Sequence, residues 1–554
     1  MQTMDEHDLD ADRRPGTSRS GACPAQGGGI LIDTGLRAVF QSALGRIDHS
    51  ASCDCSPGRN LSRMHVLTKS KLIGLVIGAL LPAAASAHVF GQPYTLPVPF
   101  SMYAYGAMAA LLLSFIVVGL FAAAPALGRV APVRAVSIES ADAAPQRMTV
   151  GSACSVLLLV LCIVSGLIGT QNAFANFNMT FFWIGFVLGL PYAVALLGDF
   201  YAPVNPWKTL ASWLESASGM AFSGRLRYPA WLGYTPALLL YMGFIWLELF
   251  GQLGPRGLSV ALLGYTLINL IGAYVFGRDL WFRQGEFFGV LLHLIGKISP
   301  WSRPAGAGQA PSTDQGRRWR LPFSALADEP ASHLTLVLFI LFMLSSTAFD
   351  GLHSTLPWVN VFWKSIYPDI APWFTPAPGQ QYLLSTQLYY LWQWGSLLLS
   401  PLIYLLFFAG FMWAVKVFSR SRLSTRELVL RFAMSLLPIA FVYHVTHYYT
   451  LLLSQGGQLF KLVSDPFGYG WNLFGTAKLM IQPMMLDVEL IWHTQVALIL
   501  MGHIVGVYLA HVEALRSFST PRRAALSQLP MLALMMVFTN FGLWILSMPL
   551  AGGN

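Results

Sequence analysis

From residue 88 onward the chain alternates long apolar runs with short polar breaks. Ten runs are long enough to cross a bilayer, which takes about 20 helical residues. They lie near 101–124, 149–170, 179–198, 231–250, 257–277, 333–350, 386–415, 428–453, 490–511 and 528–548. The pattern predicts an all-α, polytopic transmembrane helical bundle with short loops, filling one domain over residues 88–554. Two breaks keep amphipathic content. "NPWKTLASWLESASGMAFSGRLRYPAWLG" carries Trp207, Trp213 and Trp231 among charges, as an interfacial helix does. "GEFFGVLLHLIGKISPW" reads similarly and places His293 at the inner surface. Residues 304–316 are rich in Gly, Pro, Ser and Gln and read as a flexible loop. Residues 351–385 are rich in Trp, Tyr and Pro and are expected to cap the outer face.

The start of the chain follows different rules. Residues 1–63 are polar, without usable periodicity, and hold Cys23, Cys53 and Cys55. Residues 64–87 then carry a basic stretch (Lys69, Lys71), the apolar run "LIGLVIGALL" and the small-residue site Ala85-Ser86-Ala87. These are the three parts of a secretory signal peptide. Met64 therefore reads as the true start; the alternative is a disordered leader followed by an uncleaved helix. Cleavage after Ala87 would expose His88, whose amine and imidazole together suit copper.

Composition supports the membrane reading. The chain is 55% hydrophobic and 11% charged, with mean hydropathy +0.56, whereas soluble domains carry roughly 25% charge. Lipid is thus the expected surrounding of most of the surface. The net charge of +9 does not point to nucleic acid, because the basic residues fall in breaks between apolar runs. With the mature N-terminus outside, inner breaks hold 21 Lys or Arg and outer breaks hold four, Arg256, Lys364, Lys461 and Lys478. The positive-inside rule then sets both termini in the periplasm of a bacterial inner membrane. Cys154 and Cys162 are the only cysteines after residue 88, so neither a disulfide framework nor a thiolate metal motif is present.

Ionisable side chains at membrane depth are costly and mark functional sites. Glu248, Asp350, His353, His444, His447 and His493 fall at one predicted level, just below the outer surface. His444 and His447 are three apart and share a helix face, as do Asp350 and His353. Each residue alone reads as a packing or headgroup-level side chain; the group reads as a polar site. Nitrogen and oxygen donors without thiolate suit a divalent metal such as zinc, manganese, iron or copper. His503 lies ten residues further along its span, roughly 15 Å deeper, as a supporting residue or an interhelical hydrogen bond. His511, beside Glu513 and Arg516, reads as interfacial, and His333 as the polar start of its span. The Gly-rich string "SDPFGYGWNLFGT" is either a lid over the site or a turn. Phosphate-binding loops, nucleophile elbows and zinc-protease motifs are missing from the sequence.

Six strings, "HVFGQPYTLPVPFSMYAYGAMAALLLSFIVVGLF", "LLGDFYAPVNPWKTL", "STAFDGL", "HYYTLLLSQGGQ", "SDPFGYGWNLFGT" and "GHIVGVYLAH", occur in this order from His88 onward. As a set they resemble the membrane protein family named for fenitrothion hydrolase. The resemblance implies hydrolysis of an organophosphorus triester with release of a phenol. It matches histidines at His447, His503 and His511 and acids at Asp350 and Glu248, and matches His444, His353 and His493 less closely. It therefore favours His447, Asp350 and Glu248 as catalytic residues, with water activated by a metal or by histidine. An apolar aryl triester would reach the site from the outer leaflet, past Tyr443, Tyr448, Tyr449 and Trp492. The competing reading is a carrier or copper-handling protein using the same histidines, with Met480, Met484 and Met485 near the outer face. A third is a subunit or assembly factor of a respiratory complex.

Overall fold

The structure, a computed structural model, describes residues 99–121, 149–302, 318–374, 380–481, 484 and 487–548. The expected leader, the signal peptide, His88, Met485 and the whole of the 304–316 loop lie outside these residues.

Among the described residues nine helices are long and apolar enough to cross a membrane. In chain order the principal helices are α1 (Phe100–Phe121), α2 (Val150–Ile168), α3 (Phe177–Leu197), α4 (Pro206–Ser218), α5 (Thr235–Phe250), α6 (Pro255–Phe276), α7 (Arg278–Gln284) and α8 (Phe287–Gly296). Then follow α9 (Leu334–His353), α10 (Gln381–Ser419), α11 (Thr425–Gln455), α12 (Val488–Ser517) and α13 (Pro521–Ser547). The tenth expected span, 231–250, becomes the 16-residue helix α5, too short to join the nine. Its first residues form a turn. Gly233 adopts φ +46°, and a Cβ there would lie 2.4 Å from the His333 ring. Glycine is the residue that tolerates both conditions.

The helices pack in two groups. In one, α10 and α12 flank α13, α11 packs on α9 and α12, and α1 covers α12 and α13. In the other, α2, α3, α4, α6, α7 and α8 pack around one another. Helices α3, α5 and α8 close the seam against α9 and α11. Helices α11 and α9 are the most enclosed, with 83% and 78% of their apolar windows buried against 17% for α1. Exposed Leu113, Ile403, Leu406 and Trp413 on outer helices are the faces that hydrocarbon would cover.

Proline sets two local irregularities. Pro401 interrupts α10 and offers no N–H to the Leu397 carbonyl; Ser400 Oγ donates to that carbonyl instead, at 2.8 Å. Ser345 Oγ on α9 lies 2.8 Å from the same Ser400 hydroxyl, so the repair also ties two helices together. In α11 a 3-10 turn at Ala433–Leu436 precedes Pro438.

Two amphipathic breaks behave differently from expectation. Trp207 on α4 is 1% exposed, stacks on Phe288 and donates from Nε1 to Thr266. It is a core residue, while Trp231 remains exposed as an interfacial residue would. Helix α8 is also no surface helix: Phe287, Phe288, Leu292 and Ile295 are all buried. Only His293 points outward, 3.3 Å from Asp199. A sequence pattern of nearly continuous apolar residues around one histidine fits a helix covered on almost all sides.

Candidate functional site

Asp350, near the end of α9, is buried and carries two donors on one oxygen. His447 Nε2 donates to Oδ2 at 2.8 Å, and the Tyr448 hydroxyl donates to the same atom at 2.6 Å. Adjacent residues on α11 make both contacts. The rings of His447 and Tyr448 stand edge to face, 4.6 Å apart, so two neighbours on one helix reach a single acceptor. Gly351 leaves room beside them: a Cβ there would lie 2.7 Å from Ile545 and 3.8 Å from His447 Cε1.

His353 is the expected partner of Asp350 on α9. Its Nδ1 turns back on its own helix, donating to the carbonyls of Asp350 at 2.8 Å and Phe349 at 3.2 Å. It stands 3.9 Å from Asp350 Oδ1, an electrostatic neighbour rather than a hydrogen-bond donor to the carboxylate.

Across the seam from His447, Asp350 borders a cavity between α3, α5, α8, α9 and α11. Glu248 of α5, His444 and Tyr448 of α11, and Ser346 of α9 share its wall. The rest is apolar and aromatic, including Phe186 and Val187 of α3 and Phe288 and Leu292 of α8. Glu248 and His444 have no hydrogen-bond or ion-pair partner among the described residues. His444 is held by its rings instead, 4.8 Å from Tyr448 and 6.1 Å from Tyr192. The α3 wall is a π-helix over Phe181–Gly189, the widened backbone that often accompanies functional sites.

The single-level cluster expected from the spans thus resolves into parts. Asp350, His447, His353, His444 and Glu248 do meet at one end of the bundle. His493 does not: it is exposed on α12, with Nδ1 on the Glu489 carbonyl and Nε2 3.5 Å from the Tyr103 hydroxyl of α1. Equal depth along the chain leaves the direction around the helix undetermined, and α12 turns His493 away. His503 lines a separate cavity. His511 is buried rather than interfacial, 2.8 Å from Gln528 of α13. Of the four aromatics expected at the entrance, Tyr448 alone borders the Asp350 cavity. Tyr443 faces the second cavity, Tyr449 donates to Ile491 O, and Trp492 packs edge-on against Tyr103.

The donors do not fit a bound metal as they stand. Both lone-pair directions of Asp350 Oδ2 are taken by His447 and Tyr448, and His353 Nδ1 is committed to backbone. Among the described residues no group of three or more His, Cys, Asp or Glu side chains is arranged to hold a metal ion.

"SDPFGYGWNLFGT" is a turn and not a lid. Asp465 accepts from the Tyr469 and Gly470 amides, and Phe467 O and Pro466 O accept from Thr170 and Phe177. It docks on the segment between α2 and α3 and contributes nothing to the cavity wall.

Sequence reasoning passes over Glu286. It is fully buried and caps α8 by accepting from the Phe288 and Gly289 amides, while Asn205 and Tyr265 donate to it as well. Its signal is a lone carboxylate directly before an apolar run, the place where N-cap acceptors sit. Every oxygen is satisfied, so its work is to hold α8, the cavity floor, against α4 and α6.

Comparison with protein-family models, curated proteins and solved structures gives no match for this chain. The fold and its apolar surface define a class, the multi-pass helical membrane proteins.

Proposed function

We propose that the protein is an integral membrane hydrolase of organophosphorus triesters, acting on apolar aryl esters that partition into lipid. The observation that carries this reading is the seam cavity, where unpartnered His444 and Glu248 share a largely apolar wall with an anchored Asp350. Two of the strings that resemble the fenitrothion hydrolase family, "STAFDGL" and "HYYTLLLSQGGQ", supply the two ends of the Asp350–His447 bond.

In this reading His444 accepts a proton from a water that attacks phosphorus. General-base assistance of this kind contributes about 10²- to 10⁴-fold. The P–O bond to the aryl group breaks, and Glu248 in its protonated form returns a proton to the departing phenoxide. The products are a dialkyl phosphate, or phosphorothioate, and a phenol. Asp350 stays ionised through its two donors and stabilises the imidazolium that forms on His444. His447 acts through Asp350 as a positioning residue. No step in this reading uses a metal; Asp350 and His353 are engaged in internal hydrogen bonds, and His444 and Glu248 act as proton acceptor and donor.

The test uses the full chain in lipid nanodiscs with fenitrothion, reading nitrophenol release. The reading expects release above a lipid blank, a loss of at least about 100-fold in His444→Ala, and persistence after chelator treatment. Absence of release, or release by His444→Ala equal to the parent's, would sink it.

A second reading has one observation in its favour. The π-helical stretch of α3 beside the cavity resembles the broken helices on which carriers build their sites. A carrier would move an apolar solute into proteoliposomes without changing it, and mass analysis of the lumen separates the two readings.

A further inference from the structure

The chain from Ser216 to Leu247 holds no carboxylate, and Arg225, Leu226, Arg227 and Trp231 lie within it, on the loop between α4 and α5. This loop presses on the end of α6. The Arg225 and Leu226 amides both donate to the Val275 carbonyl at 2.8 Å, and the Arg278 amide donates to Phe222 O at 2.9 Å. At the loop's far end the Tyr234 amide donates to Thr335 Oγ1, at the start of α9. The loop therefore lies at the end of the bundle opposite Asp350. Arg225, Leu226, Arg227 and Trp231 are all exposed.

The cations around this loop differ in what they are spent on. Lys208 and Arg278 both pair with Asp279, and Arg278 also holds Glu215 at 2.6 Å. The second oxygen of Glu215 accepts from the Phe222 amide. The carboxylates of α4 and α7 are thus both taken. The Arg227 side chain has no ion pair or hydrogen bond among the described residues. The Arg225 guanidinium lies over the Tyr274 ring, 5.3 Å from its centre. A guanidinium held by an aromatic face keeps its edge donors free, and that edge matches two phosphate oxygens.

Tyr274 is also the foot of a lipid-facing stripe. Val260, Leu263, Leu267 and Ile271 of α6 are exposed and three or four residues apart, so they share one face, and Tyr274 follows three residues on. In a multi-pass helical protein acyl chains cover such a face. A chain lying along it brings its headgroup to the Tyr274–Arg225 stack. Leu226 and Trp231, 62% and 74% exposed, flank that level, where amphipathic rings anchor a membrane protein in the headgroup layer.

We infer that this loop and the foot of α6 form a binding site for an anionic phospholipid. Arg225 takes the phosphate, Arg227 adds a second positive charge, and the α6 stripe takes an acyl chain. A zwitterionic headgroup carries an ammonium, which two arginines whose neighbouring carboxylates are already paired repel. A free phosphate ion would meet the same arginines and leave the stripe unused. The site lies at the other end of the bundle from the triester chemistry proposed above and does not rest on it.

The full chain in detergent is titrated with phosphatidylglycerol or with phosphatidylcholine of the same acyl chains, and bound lipid is counted by native mass spectrometry. The parent should bind its first phosphatidylglycerol at least about fivefold tighter than phosphatidylcholine, the strength one arginine supplies beside anionic lipid. Arg225→Gln and Arg227→Gln should each shrink that preference, and the double change should remove it. Arg256→Gln deletes the same charge at the opposite end of α6 and should keep it. Excess inorganic phosphate should leave the lipid in place. Equal affinity for the two lipids, a preference that survives the double change, an equal loss in Arg256→Gln, or displacement by inorganic phosphate would each overturn the assignment. Neither arginine side chain is tied into an ion pair, so the variants are expected to melt with the parent. A thermal melt checks each, and the single variants carry the test if the double one does not fold.

Discussion

His447 Nε2 and Asp350 Oδ2 lie 2.8 Å apart, joining the two most enclosed helices of the bundle at one end. The pair is buried on the carboxylate side, where Asp350 is 5% exposed. Removing the carboxylate leaves two donors, His447 Nε2 and the Tyr448 hydroxyl, without their acceptor, at about 1–3 kcal/mol for each group left unsatisfied. Asp350→Ala should therefore lower the melting temperature of the detergent-purified protein markedly. Tyr448→Phe removes one donor of two and should cost about 1–3 kcal/mol. Equal melts for parent and Asp350→Ala would show that the pair is not what joins α9 to α11.

His444 and His447 are three residues apart and play different parts. His444 has no hydrogen bond to lose among the described residues, whereas His447 holds Asp350. Under the hydrolase reading His444→Ala abolishes turnover with little change in thermal stability, and His447→Ala loses both. The check is a paired measurement of nitrophenol release and melting temperature on the two variants. A stable, inactive His447→Ala beside an active His444→Ala would reverse the assignment.

Ser400 offers a test of backbone satisfaction. Without its hydroxyl the Leu397 carbonyl has no donor, since residue 401 is proline. Ser400→Ala should destabilise by about 1–3 kcal/mol. The double change Ser400→Ala with Pro401→Ala restores an N–H to that carbonyl and should recover part of the loss. If the double variant is no more stable than the single one, the account of the α10 repair is wrong.

The loop-side charges predict a pH response. Burial by itself would raise the Asp279 carboxyl, but hydrogen bonds and charge from Lys208 and Arg278 outweigh it and hold the group below its ordinary 3.8. A carboxyl depressed in the folded state contributes stability that is present above its unfolded pKa and is lost as pH falls through the folded value. Acid melts of the parent should lose stability as pH drops below about 3.8, and Asp279→Asn should flatten that segment. At neutral pH Asp279→Asn should cost stability. A variant with the parent's full acid slope would rule Asp279 out as the responsible group.

Much of this architecture is legible in the linear pattern, and the places where it is not share a cause. Apolar run length located nine of the spans, with ends off by up to seven residues, since a membrane helix must satisfy its own backbone and so shows itself as a long uninterrupted run. At 231–250 the helix is shorter than the apolar run, because residues 231–234 form a turn with Gly233 at φ +46° and α5 begins at Thr235. The linear pattern placed α8 and Trp207 at a surface, because enclosure by neighbouring helices leaves no trace in local composition. Depth along the helices gathered Asp350, His353, His444, His447 and Glu248 correctly, and wrongly added His493.

The sequence by itself determined that this chain is a helical membrane protein and that its costly side chains gather toward one end of the bundle. Both follow from one-dimensional quantities, the length of an apolar run and the position of a polar residue within it. Only the tertiary structure decided which of those side chains are spent on each other and which stay free. Asp350 binds His447 and Tyr448, while His444 and Glu248 face open space, and Tyr443 and His503 face another. That division depends on the rotation of each helix about its axis, which is set by how neighbouring helices pack and not by any residue's place in the chain.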